Sequence, residues 1–170
     1  LVEEPLIDPR IVREPDANEK PADNQFYARD QSNTAELHCN GILNEPADHV
    51  FLNVYANDKN IATEKQKVKL GEAYRLMARL KAGLITYRVE FGVVRDGAAM
   101  VRYTADNIVC GDAYIIEGQS NALATDTRET SPPETSQWIR SYGKPNPRRN
   151  QTDEADVNLW CLPVWKARNG

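Results

Sequence analysis

The sequence predicts a mainly β chain, an antiparallel β-sandwich over residues 31–107 followed by the opening strand and loops of an α/β domain. Three observations point there. Short apolar runs alternate with period two, turn-forming residues separate them at intervals of roughly 8–12 residues, and the texture changes after Asp106 to an apolar run without alternation.

Residues 1–30 carry Pro5, Pro9, Pro15 and Pro21 among acids and amides, which favours an extended arm over a helix. Residues 34–39 and 50–55 read as strands, the second with Val50, Leu52 and Val54 on one face. Asn40-Gly41 and Asn44-Glu45-Pro46 supply turn chemistry between them. After the loop Asn57-Asp58-Lys59-Asn60, residues 61–70 set Lys65, Lys67 and Lys69 at alternate positions, as on a soluble edge strand. Residues 73–80 place Tyr74, Leu76, Ala78 and Leu80 on one face, although Glu72, Arg75, Met77 and Arg79 also suit a helix. Residues 84–94 alternate Ile85, Tyr87, Val89 and Phe91 with polar neighbours. Lys81-Ala82-Gly83 is expected to join these two strands as a hairpin, and Asp96-Gly97 to form a second hairpin into residues 98–104. Immunoglobulin-like and jelly-roll topologies both remain open. Burial is expected for Leu52, Val54, Ile85, Tyr87, Val89 and Phe91.

From about residue 108 a second domain is expected. Residues 113–116, Ala-Tyr-Ile-Ile, read as a strand buried on both faces, and residues 122–158 are rich in Thr, Ser, Pro, Arg and Asp, with Trp138-Ile139-Arg140 as an apolar anchor.

Composition narrows the function. The 170 residues are 41% apolar and 27% charged, as in globular proteins, and no apolar run approaches the ~18 residues of a membrane-spanning helix. With a net charge of −4 and dispersed Lys and Arg, a nucleic-acid partner has little electrostatic support. Cys39, Cys110 and Cys161 lie far apart without metal or redox spacing. They read as buried thiols, or as one disulfide and an odd thiol. The N-terminal Leu1-Val2-Glu3 has neither an initiator Met nor a leader pattern, as in a processed precursor or a trimmed chain.

Ser120 follows the apolar run at a position whose local pattern fits a capped strand-to-loop turn, and which is also where α/β hydrolytic enzymes place a nucleophile at the end of a strand. Gly-x-Ser-x-Gly is not matched, because position 122 is Ala. Asp106, Asp112, Glu117 and Asp126 flank the serine and read as solvated loop acids or, alternatively, as a glycosidase carboxylate pair.

The segment Ile108-Val-Cys-Gly-Asp-Ala-Tyr-Ile-Ile-Glu-Gly-Gln-Ser-Asn121 resembles the first motif of the SGNH (GDSL-like) hydrolases, in particular the sialate O-acetylesterase and acetylxylan-esterase-like group. Residues 138–143 and 159–165 also look like family segments. The resemblance implies an SGNH-type α/β domain over residues 108–170, with Ser120 as nucleophile and its own N–H in the oxyanion hole. Gly118, Gln119 and Asn121 would shape the turn. It implies a secreted or periplasmic protein acting on acetylated carbohydrates, with no metal or organic cofactor. The family's later Asp-x-x-His does not follow Ser120, and neither His38 nor His49 stands three residues after an Asp. The chain is therefore expected to need the remainder of the catalytic domain and to be inactive alone. The other function class is a non-catalytic carbohydrate-binding or domain-packing sandwich, to be decided by whether Tyr55, Tyr74 or Tyr87 lines a shallow groove on one sheet face or all are buried between the sheets.

Overall fold

The computed structural model describes residues 15–114, 136–143 and 159–161. Within them the chain is mainly β, with no helix, and its sheets are antiparallel except for one parallel pair. Strand β1 (Phe26–Ala28) lies beside β7 (Ala98–Gly111), which continues through β6 (Tyr87–Arg95) and β3 (His49–Ala56) to β4 (Lys59–Gln66) in one five-stranded sheet. A second sheet pairs β2 (Thr34–Ile42) with β5 (Ala73–Lys81), and β8 (Ser141–Gly143) pairs with β9 (Leu159–Cys161).

The period-two pattern is what makes these sheets face each other. In β5, Tyr74, Leu76, Ala78 and Leu80 are buried while each residue between them is exposed, so alternation prevails over the helix propensity of Arg75, Met77 and Arg79. These side chains meet Leu52 and Val54 of β3 and Val89, Phe91 and Val93 of β6 in one core, where Tyr74 stacks on Phe91 with ring centroids 4.9 Å apart. Ile85, expected in the core, is only partly buried and precedes β6.

Two tight hairpins stay within the large sheet. Asn57 and Asp58 join β3 to β4, and Asp96 and Gly97 join β6 to β7. All four residues have positive φ, as a type I′ turn requires. Elsewhere the chain changes sheets, between β1 and β2, β2 and β3, β4 and β5, and β5 and β6. With β2 paired to β5 and β7-β6-β3-β4 in the other sheet, four of the six connections from β1 to β7 pass between the two sheets.

The hairpin expected at residues 81–83 is therefore a crossover. Its cause is Tyr87, whose ring is buried at the start of β6. The Tyr87 hydroxyl donates to the Lys81 carbonyl (2.8 Å) and accepts from the Lys81 N–H (3.0 Å). Such a tyrosine corner ties the end of one strand to the start of a strand in the opposite sheet.

The turn expected at Asn40-Gly41 is also absent, because β2 runs on to Ile42. The Tyr74 ring lies across Gly41, where a Cβ would stand 2.6 Å from the phenol oxygen. Asn40 is held from outside the sheet, its N–H donating to the Glu19 carbonyl (2.8 Å) and its Nδ2 to the Asp16 carbonyl (3.1 Å). The upstream segment thereby covers part of the β2 edge, while β4, with Lys59 and Lys65 exposed, forms the charged edge of the large sheet. Lys67 and Lys69, expected on that strand, lie beyond its end.

Between β2 and β3, Glu45 accepts two hydrogen bonds from Arg102 of β7, at 2.7 and 2.6 Å. The Arg102 guanidinium holds the Glu45 carboxyl below the usual carboxylate range. A carboxyl lowered by folding stabilises the native state above its unfolded pKa, and that contribution disappears as pH falls through the lowered value. Comparison of Glu45→Gln with the parent chain by urea unfolding is expected to show a stability deficit at pH 7 that closes on acidification below about pH 4. Tyr87→Phe keeps the ring but leaves the Lys81 N–H and carbonyl without the hydroxyl. We expect it to lower unfolding stability by about 1–2 kcal/mol in the same assay, with unchanged circular dichroism.

Candidate functional site at the end of β7

β7 is long because it does two jobs in sequence. Its first part pairs with β6. At residues 106–107 it breaks register, Asn107 taking φ 59°, and its last residues pair in parallel with β1, Val109 opposite Phe26 and Gly111 opposite Ala28. Ile108, Val109 and Cys110 are buried, so residues 108–111, the first four of the hydrolase-like segment, are an integral strand of the two-sheet domain.

The exit of β7 is fixed. The Arg29 N–H donates to the Gly111 carbonyl (2.9 Å), the Gly83 N–H donates to the Cys110 carbonyl (3.2 Å), and Arg29 Nε pairs with the Asp112 carboxylate at 2.7 Å. Beyond this point Ala113 and Tyr114 are exposed and outside any strand, Tyr114 at 84% exposure. The strand expected over residues 113–116 is thus not formed in its first half, because Gly111-Asp112 ends the ladder and the buried apolar run comes earlier, at 108–110. Ile115 and Ile116 lie outside the described residues, as do the candidate nucleophile Ser120, its neighbours Gly118, Gln119 and Asn121, and the acids Glu117 and Asp126.

The described acids near this exit are engaged by basic partners. Asp112 pairs with Arg29, and Asp106 lies 3.9 Å from Arg88. His38, on β2, is 3.5 Å from Glu36 of the same strand, and His49 opens β3. Both histidines are fixed parts of the β domain. Among the described residues no three His, Cys, Asp or Glu side chains cluster as a metal site would require, and no helix is long and apolar enough to cross a membrane.

Tyr55, Tyr74 and Tyr87 do not share one exposed face. Tyr74 and Tyr87 are buried between the sheets. Tyr55 carries the Arg88 guanidinium over its ring at 3.9 Å, and its hydroxyl donates to Glu90 (2.9 Å).

The chain meets the β domain again at residues 136–140. The Trp138 N–H donates to Ser136 Oγ (3.2 Å) and the Ile139 N–H to the Ser136 carbonyl (3.1 Å), which makes a local turn. Arg140 Nε donates to the Asn24 carbonyl (3.0 Å), and one terminal nitrogen donates to both the carbonyl (2.8 Å) and Oδ1 (2.9 Å) of Asn107. Of the apolar anchor expected at Trp138-Ile139-Arg140, Trp138 is half-buried and Ile139 is exposed, and Arg140 makes the polar attachment. Beyond it β8 pairs with β9, Tyr142 opposite Trp160. Spacing marks Tyr87 as a core residue and composition places Arg140 in the 138–140 anchor, but neither reveals the hydrogen-bonding role of these side chains, and Arg29 carries no motif. A Tyr beginning a strand six residues after Lys81 was the available signal for the corner.

No protein-family model, no curated protein and no solved structure matches this chain.

Cys39 and Cys110 are free and buried. Burial pushes the Cys39 thiol up to about 12 and the Cys110 thiol up to about 11, which removes thiolate nucleophilicity near neutral pH. In a Cys161→Ser background, both are expected to resist an aromatic disulfide reagent at pH 8 in the native state and to react within minutes in urea, as followed by absorbance.

Proposed function

We propose that the chain is the front part of a serine carbohydrate O-acetylesterase of the SGNH type, in which the β domain delivers the nucleophile motif into an α/β catalytic domain. The reading is supported by the resemblance of residues 108–121 to the family's first motif. Ala113 and Tyr114 are exposed rather than in the strand expected to lead to Ser120, so the structural support is confined to residues 108–111, which close the β domain as a buried strand with a fixed exit. Catalytic groups need such support, because misplacement by about 1 Å costs on the order of 100-fold in rate.

In this reading Ser120 attacks the acetyl carbonyl of an O-acetylated sugar. The Ser120 proton passes to an imidazole supplied by the remainder of the catalytic domain, and the oxyanion is held by the Ser120 N–H and later donors. The sugar hydroxyl leaves, and water releases acetate from the acyl-enzyme. The chemistry uses no metal or organic cofactor, and acetylated polysaccharide or glycan places the protein in a secreted or periplasmic setting.

A second reading keeps the β domain as a packing module without its own chemistry. The seating of Arg140 on Asn24 and Asn107 favours the packing half of that alternative. The burial of Tyr74 and Tyr87 and the covering of Tyr55 disfavour the sugar-binding half.

Hydrolysis of p-nitrophenyl acetate separates the two. The 170-residue chain is expected to match its own Ser120→Ala variant, whereas a longer form carrying the downstream Asp-x-x-His should turn over at least about 10³-fold faster and lose that gain on Ser120→Ala. Activity of the longer form that survives Ser120→Ala would remove Ser120 as the nucleophile.

A further inference from the structure

We propose that Arg140 is the anchor that holds the chain returning from the serine motif on the β domain, so that β7 carries both ends of the segment between Asp112 and Ser136. The seat for the guanidinium is held by contacts that do not involve Arg140. Asn24 and Asn107 both adopt left-handed backbone, with φ 61° and 59°, a conformation asparagine tolerates better than most residues. They are locked together by Asn107 Nδ2 donating to Asn24 Oδ1 (2.7 Å), by the Asn24 N–H donating to the Asp106 carbonyl (3.0 Å) and by the Asp106 N–H donating to Asp23 Oδ1 (2.8 Å). Two carbonyls and one side-chain amide oxygen are thus left converging on one point.

Arg140 fills that point with a planar fork. Besides its bonds to Asn24 and Asn107, its other terminal nitrogen donates to the Ile139 carbonyl (3.0 Å) and to the Gln137 carbonyl, folding the 136–140 turn onto the same group. Among the described residues every acceptor is an amide oxygen. Burial lowers the Arg140 pKa, yet an arginine stays protonated near neutral pH, so the seat binds a cation through oriented dipoles. A lysine ammonium has neither the plane nor the span to meet the same acceptors. The contact closes 116 residues of chain against Asn24 and 33 against Asn107.

Asn107 and Asp112 lie five positions apart on and just after β7, on the order of 17 Å at ~3.3 Å per residue. The chain that departs at the Arg29–Asp112 pair therefore comes back to the same strand. The bearing of the anchor on hydrolysis rests on the reading of Ser120 given above, whereas the anchor itself does not.

Amide hydrogen exchange on the 170-residue chain tests it. Arg140→Ala and Arg140→Lys are both expected to speed exchange at Trp138 and Ile139 by at least tenfold while the amides of the β2–β5 pair stay protected. Unchanged exchange at Trp138 and Ile139 overturns the proposal. Equal acceleration throughout the β domain does so too, since Arg140 would then be part of domain stability. In the longer form, Arg140→Lys should lower kcat for p-nitrophenyl acetate about tenfold at unchanged KM. If Ser120→Ala leaves hydrolysis intact while the exchange effect persists, the esterase reading fails and the anchor stands. If Ser120→Ala abolishes hydrolysis but Arg140→Ala changes neither exchange nor kcat, the anchor fails alone.

Discussion

The Tyr87 hydroxyl is the constraint on which the rest of the β domain depends. The ring fills the core at the point where the chain leaves one sheet for the other, and the hydroxyl satisfies both backbone groups of Lys81. A buried phenol needs a partner, and a strand end needs somewhere to put its last N–H and carbonyl, so one side chain meets both demands. Once β5 and β6 are assigned to opposite sheets, β6 is free to pair with β3 and β7, and β7 is placed in the sheet where it can reach β1.

The two sheets are unequal, and the exposed edges are handled locally. A two-stranded sheet has open edges on both sides, which invite pairing with other chains. On β2 the upstream segment occupies the backbone at Asn40. On β5 the Arg75 N–H donates to the Gln66 side chain (2.8 Å) and the Lys81 N–H to Tyr87. The β4 edge relies instead on exposed charge. Side chains that also tie loops and strand ends together thus blunt the template for aggregation.

Local pattern exposed much of this fold and little of the site. Strands with one covered face, such as β5 and β3, were legible because burial imposes period two, and the β6–β7 turn because Asp96-Gly97 is suited to paired positive φ. The crossover at residues 81–86 was not legible from its own residues, since Lys81-Ala82-Gly83 also suits a hairpin and the decision lies with Tyr87. The apolar residues on either side of Gly111-Asp112 misled in the same way. The strand stops at the glycine, and the buried stretch is the one before it. The Arg140 seat has no sequence signature at all, because its acceptors are chiefly backbone carbonyls turned outward by two asparagines far apart in the chain.

The parallel pairing of β1 with β7 also bears on mechanical load. The chain enters this pair at the start of β1 and leaves it at the far end of β7, so tension between the upstream segment and residue 112 slides one strand along the other. The Val109 N–H bond to Gln25 and the Arg29 N–H bond to Gly111 then share the force simultaneously, in shear, where an antiparallel pair pulled from one end would unzip bond by bond. Upstream of that pair, the bonds of Glu19 and Asp16 to Asn40 and of Asn24 to Asp106 take up the load first, so the shear pair is a second clamp on the same path.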